Sequence, residues 1–155
     1  MSMFDRAETT ILSSLQANGR ITNAQLAEQV GLSESPCLRR VRSLEERGVI
    51  SGYRAQLDQR AIGLPVTVFV QVQLEKHDDR KSRDFLNSVE AEPYIVECHA
   101  MSGAYDYLLK VVARSMDHFS ALAMDGILRF PGVTDIESSF SLKTIKQDAP
   151  LPVVP

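Results

Sequence analysis

A chain of 155 residues that is 44% apolar and 24% charged has the composition of a globular protein, with room for one average domain or two small ones. Its sequence predicts neither a membrane span (no apolar run nears the ~20 residues required) nor a signal peptide (MSMFDRAETT lacks basic and apolar regions). Two cysteines, Cys37 and Cys98, predict neither a disulfide framework nor a metal site, so a reducing, cytoplasmic setting is expected. The net charge of −3 argues against a nucleic-acid partner until the chain is divided. Residues 1–60 hold eight arginines, no lysine and seven acids, a balance of +1, whereas residues 61–155 hold nine bases and thirteen acids, a balance of −4.

Asp5 with Glu8 gives a capping-box pattern, and Ala7, Ile11, Leu12 and Leu15 follow at helical spacing up to Asn18-Gly19. Thr22 with Gln25 repeats that pattern ahead of Ala24, Leu26, Ala27 and Val30, and Gly31 is expected to turn the chain with φ > 0. A third helix is predicted from Ser33 or Ser35, with Pro36 tolerated in its first turn. Cys37, Val41 and Leu44, widened by Leu38, make its packing face, and Cys37 reads as a small buried hydrophobe. Ser35, Arg39, Arg40, Arg42 and Ser43 then point elsewhere, where such a helix can touch base edges and clamp phosphates. Gly48 ends it. Val49–Ala55, which includes Arg54, is predicted to be a strand in the position of a wing. A three-helix domain with a merely solvated basic face fits the same periodicity, and a DNA reader of such low charge would need a dimer to collect enough phosphate contacts.

Leu57–Leu64 reads as a hinge, and Pro65–Leu74 alternates as a strand. An amphipathic helix is predicted over Asp79–Ala91 through Phe85, Leu86 and Val89. Strands over Tyr94–Met101 and Tyr105–Ala113 flank a tight turn at Ser102-Gly103-Ala104. A helix over Met116–Phe130 stops at Pro131-Gly132, and a last strand covers Val133–Ile145. The order β-α-β-β-α-β predicts an α+β unit of the ferredoxin-like kind, with helices on one face of the sheet. Val66, Val68 and Phe69 against Val70 and Val72 suggest apolar residues on both faces, hence a second subunit on the open one and two-fold symmetry suited to palindromic DNA.

At the hairpin tip, backbone N–H groups around Gly103 could cradle a carboxylate while Asp106 holds an ammonium group, as a zwitterionic amino acid requires. An ordinary turn in which Asp106 caps a backbone group accounts for the same residues. Cys98 and His99 alternate across a strand and predict no metal pair, and His77 and His118 read as isolated and solvated. There is no G-x-S-x-G, phosphate-binding glycine loop or H-E-x-x-H, so neither an enzyme nor a bound cofactor is predicted.

The segments GRITNAQLAEQVGLSESPCLRRVRSLEERGVISGYRAQLD, HAMSGAYDYLLKV and PGVTDIESSFSLKTIK together resemble the Lrp/AsnC (feast/famine) family of transcription regulators, over about Phe4 to Val153. The resemblance implies a winged helix-turn-helix domain with its hinge strand over 1–60 and an effector-binding, oligomerising RAM domain over 61–155. It implies double-stranded operator DNA and a free amino acid as partners, and a homodimer assembling to an octamer. By motif, Ser35, Pro36, Arg39, Arg40 and Arg42 match the DNA-facing helix. Gly103, Ala104, Tyr105 and Asp106, with Met101 beside them, match the effector loop, to which a neighbouring dimer would add Ser138, Ser139 and Phe140. Ala104 departs from the Asp or Glu frequent in the family at that place; an uncharged amino acid such as leucine or methionine is then expected. An amino-acid sensor with no DNA role is the rival reading.

Overall fold

The computed structural model describes residues 3–76 and 78–153, so His77 lies outside the described residues. The chain forms two compact units. One comprises the residues up to Gln56 together with those from Lys146 onward; the other is Leu57–Ile145. Residues 146–153, expected within the second module, therefore belong to the first.

The first unit is three helices, α1 (Arg6–Ala17), α2 (Asn23–Val30) and α3 (Glu34–Glu46). Local chemistry sets their starts. Asp5 Oδ1 accepts the Glu8 N–H at 2.8 Å while Glu8 Oε2 accepts the Asp5 N–H at 3.2 Å, and Thr22 and Gln25 make the same reciprocal pair for α2. Gly31 closes α2 at φ +74°, the left-handed conformation the turn demands. Ile11, Leu12, Leu26, Ala27, Cys37, Val41 and Leu44 form the core. Leu38, expected to widen it, is 37% exposed, because one residue of α-helix turns a side chain about 100° from its neighbour Cys37.

The strand expected over Val49–Ala55 does not form. Val49 and Ile50 instead donate back to the Leu44 carbonyl at 2.9 and 3.2 Å, completing the end of α3. A strand needs a partner edge, and every described strand lies in the other unit. The C-terminal segment takes an ordered course across this unit. The Gln16 amide accepts the Leu151 N–H at 2.7 Å and donates to the Leu151 carbonyl at 3.1 Å, and Val153 packs on the helical core.

The second unit is an antiparallel sheet of β1 (Val66–Leu74), β2 (Ile95–Ala100), β3 (Tyr107–Ala113) and β4 (Val133–Phe140) in the order β2-β3-β1-β4. Helices α4 (Asp79–Ala91) and α5 (Met116–Ala121) give the β-α-β-β-α-β arrangement. Phe85 and Val89 of α4 and Phe119 of α5 share one core with Val68, Val70, Val72, Leu109 and Val111. This corrects the expected division of the valines: Val66, Val68, Val70 and Val72 differ by even steps and so share the helix-covered face, leaving Thr67, Phe69, Gln71 and Gln73 on the other. Leu86 of α4 is 39% exposed rather than part of the apolar face.

The helix expected to run through Phe130 continues beyond α5 only as a π turn, Leu122–Gly126, and a 3-10 turn, Ile127–Arg129. Gly126 leaves helical geometry at φ −108°, ψ −92°. The last strand ends at Phe140 rather than Ile145. His118 is not isolated: its Nδ1 accepts the Arg114 N–H at 3.2 Å, and its ring meets Tyr94 edge-on at 4.5 Å. No helix among the described residues is long and apolar enough to cross a membrane.

Candidate nucleic-acid interface and effector loop

Helix α3 turns its apolar stripe, Cys37-Val41-Leu44, into the first unit and leaves Ser35, Arg39 and Arg42 exposed. Burial also pushes the Cys37 thiol up from its ordinary pKa, which keeps it protonated and inert. Pro36 sits in the first turn of α3, where its missing N–H costs nothing. The start of α3 is tied to α2 by the Asn23 side-chain amide, which donates to the Glu34 carbonyl at 3.0 Å.

The three clustered arginines do not share a face. At about 100° per residue, Arg39 and Arg42 lie ~60° apart, whereas Arg40 lies ~100° from Arg39 and only ~40° from buried Leu44. The side chains of Arg39 and Arg42 make no hydrogen bond or ion pair among the described residues. Arg40 donates to Asp5 Oδ2 at 2.5 Å. The capping bond from Glu8, and then this guanidinium, hold the Asp5 carboxyl below its usual range. Arg47 likewise donates to Glu8 Oε1 at 2.7 Å. Sequence reading missed both pairs: the partners are 35 and 39 residues apart, and no local pattern signals them.

Arg54 is exposed on the segment that follows α3. Beside it, the Tyr53 hydroxyl donates to Glu45 at 2.9 Å, and partial burial together with that carboxylate pushes its pKa up to about 12.

The loop between β2 and β3 is longer than the expected three-residue turn. Ala100 pairs with Tyr107, the Met101 N–H donates to the Asp106 carbonyl at 2.8 Å, and residues 102–105 project beyond that closure. Tyr105 and Asp106, expected in the strand, belong to this loop. Gly103 takes φ +133°, open to glycine and strained for other residues. Asp106 fastens the loop to the end of β1: its N–H donates to the Val72 carbonyl at 2.9 Å, and its Oδ2 accepts the Leu74 N–H at 2.7 Å where a bulge breaks the β1–β4 ladder. Gln73 donates to the Ala104 carbonyl at 3.1 Å. One carboxylate oxygen of Asp106 is thus committed to backbone and the other is not. The residue borders a cleft of about 440 Å³ with Leu74, Lys76, Ser82 and Ala100.

Met101, Gly103, Ala104 and Tyr105 are together in this loop, as their adjacency requires. Ser138, Ser139 and Phe140 lie apart from it on β4, at the sheet edge. Ser138 and Phe140 pair with Val70 and Val68 on the helix-covered face, where Phe140 meets Phe119 edge-on at 5.2 Å; Ser139 pairs with Phe69 on the open face. Among the described residues no three His, Cys, Asp or Glu side chains stand close enough to hold a metal ion.

With this geometry in view, comparison with known proteins also gives two parts, although the second match runs on over residues 146–151, which fold with the helical unit. Residues 4–51 match a family described as winged helix-turn-helix DNA-binding, and residues 67–151 match the Lrp/AsnC ligand binding domain. The leucine-responsive regulatory protein of Escherichia coli K12 is 39% identical over 143 residues, 92% of this chain and 87% of the relative. A transcriptional regulator from Neisseria meningitidis, solved in complex with L-methionine, superposes with a TM-score of 0.93 at 41% identity, over 97% of each chain. An AsnC family transcriptional regulator from Agrobacterium tumefaciens superposes at 0.90 with 36% identity, over 96% of this chain and 97% of the other.

Proposed function

Because the chain belongs to the Lrp/AsnC family of DNA-binding transcription regulators, which are not enzymes, we propose that it reads operator DNA with the exposed face of α3 and that a free amino acid at the 101–106 loop sets how it assembles there. The observation that carries this reading is a helix whose apolar stripe is wholly consumed by its own unit while two adjacent guanidinium groups face solvent without partners among the described residues.

On this reading Arg39 and Arg42, with Ser35 and Pro36 at the leading end of α3, enter the major groove. Arg54 adds a flanking phosphate contact. A cytoplasmic homodimer places two such helices roughly 34 Å apart, or a multiple of that spacing, and dimers gather into an octamer around which DNA bends. The exposed sheet face, with Phe69 near its centre, supports pairing of two chains.

For the effector, Gly103 and its neighbours offer N–H groups to a carboxylate, and the uncommitted Asp106 oxygen offers a partner to an ammonium group. Ala104 contributes no polar side chain, which suits an uncharged ligand. A relative named for leucine and a neighbour solved with L-methionine make these two amino acids the first candidates. Ser138, Ser139 and Phe140 of an adjoining dimer are proposed to complete the pocket; their division between two sheet faces makes Ser139 separable from the other two by mutation. The ligand acts through unequal affinity for different assemblies.

The test is fluorescence anisotropy of duplexes selected by the protein from a random pool, at fixed salt, with and without leucine or methionine. Tight binding that either amino acid shifts, together with a ligand-dependent change in sedimentation, is the expected result. Binding of amino acid without retention of any duplex would favour a sensor with no DNA role.

A further inference from the structure

We infer that Arg40 and Arg47 are positioning residues that fasten α3 to the start of α1, so that the reading face is left to Ser35, Arg39 and Arg42. This rests on the DNA-binding reading above.

The two carboxylates of the α1 capping box are each divided between two tasks. Asp5 gives Oδ1 to the Glu8 N–H and Oδ2 to Arg40; Glu8 gives Oε2 to the Asp5 N–H and Oε1 to Arg47. The acids stand three residues apart on one face at the start of α1. The arginines stand seven residues apart along α3, which returns a helix to nearly the same angle about two turns further on. Two rungs therefore join one stripe of α3 to one patch of α1. The Glu8 end is the drier: its side chain is 15% exposed, and the Arg47 guanidinium also lies 6.0 Å from the Phe4 ring centre.

The buried stripe of Cys37, Val41 and Leu44 sets the main orientation of α3, and a single ion pair beside it would leave a small roll about the helix axis unopposed. Two contacts two turns apart oppose that roll, and a roll far smaller than the ~100° between neighbouring residues already shifts the outward side chains relative to base edges. Exposed ion pairs of this kind contribute little to stability, so their effect is expected in which side chains meet the bases rather than in whether the unit folds. Arg40 is also poorly placed to reach a groove itself, because it flanks Leu44 and is already engaged.

Asp5→Ser separates the tasks. Serine keeps an oxygen for the Glu8 N–H but is too short and uncharged to hold Arg40. The measurements are affinity for a duplex selected by the parent protein, affinity for an unrelated duplex, the salt dependence of both, and the melting temperature. Asp5→Ser and Arg40→Ala are each expected to weaken the selected duplex by about an order of magnitude, with the double variant no weaker than either single one. The unrelated duplex and the salt slope should be unchanged, and Arg40→Lys, still able to pair with Asp5, should retain most of the selectivity. Should Asp5→Ser lower the melting temperature, Asp5→Asn, which keeps the capping carbonyl, replaces it.

Arg40→Ala weakening both duplexes alike and lowering the salt slope by about one would make Arg40 a phosphate contact and overturn the inference. So would Asp5 variants that bind as the parent does. A parent chain that retains no duplex would sink the DNA reading itself, and with it this inference; the two failures are distinguishable in one experiment.

Discussion

Asp106 is where an observed backbone cap and a proposed ligand contact fall on one side chain. Its Oδ2 accepts the Leu74 N–H at a bulge, a charge-assisted bond. Removing it in Asp106→Ala should destabilise the second unit by ~1.5–3 kcal/mol, read by urea denaturation. Asp106→Asn keeps a carbonyl oxygen for that N–H and loses only the charge. If the carboxylate also holds an ammonium group, Asp106→Asn should keep stability within about 1 kcal/mol and lose amino-acid affinity by calorimetry; unchanged affinity would reduce Asp106 to a backbone cap. The residues alone offered both roles and the resemblance assigned the effector one; that a single side chain could serve both was hidden, since the cap joins residues 32 positions apart.

Glu97 yields a pH prediction. Lys110 at 2.7 Å, and then His99, hold its carboxyl below the ordinary 4.5. A carboxylate lowered in the folded state adds stability above its unfolded pKa, and that contribution disappears as pH falls through the folded value. Glu97→Gln should therefore melt slightly below the parent at pH 7, by less than about 1 kcal/mol because the pair is partly solvated. The difference should vanish in strong acid. A gap that persists there would place its origin in packing.

Among the elements, the helix starts were legible because capping boxes are written within four residues, and both formed with reciprocal bonds. Gly31 was legible for the same reason. With φ at +74° and no side chain nearby to blame, Gly31→Ala should cost ~1–2 kcal/mol through backbone strain alone, measurable as a lowered urea midpoint with unchanged slope. What needed distant partners was not legible. The segment after α3 has a strand-like composition but no described edge to pair with. The tract RRVR looks like one basic patch, yet helical rotation places Arg40 on the flank and two acids near the N-terminus claim Arg40 and Arg47. Counting alternation along β1 from Val66 would have placed its valines correctly; the long apolar run hid the parity. In β4, the resemblance grouped Ser138, Ser139 and Phe140 in one pocket, whereas pleating sends the middle one to the opposite face.

For the whole molecule, the chain passes between its units twice, after Gln56 and again after Ile145. The second crossing brings Val153 onto the helical core and Leu151 into the grip of Gln16. A chain ending at Ile145 should keep the sheet unit intact but lower the stability of the helical unit by ~1–3 kcal/mol, from one partly buried valine and two hydrogen bonds. Hydrogen exchange at Leu12, Leu26 and Leu44 would register the loss; exchange matching the full chain would mean the segment is dispensable.

The return of residues 146–153 also orders events during synthesis. Translation delivers α1, α2 and α3 first, yet the amide and carbonyl that occupy Gln16, and the valine that joins their interior, emerge only after every strand of the other unit. The DNA-reading half is thus begun before the sensing half and completed after it, while the sensing half can close around its own valines before its neighbour is complete.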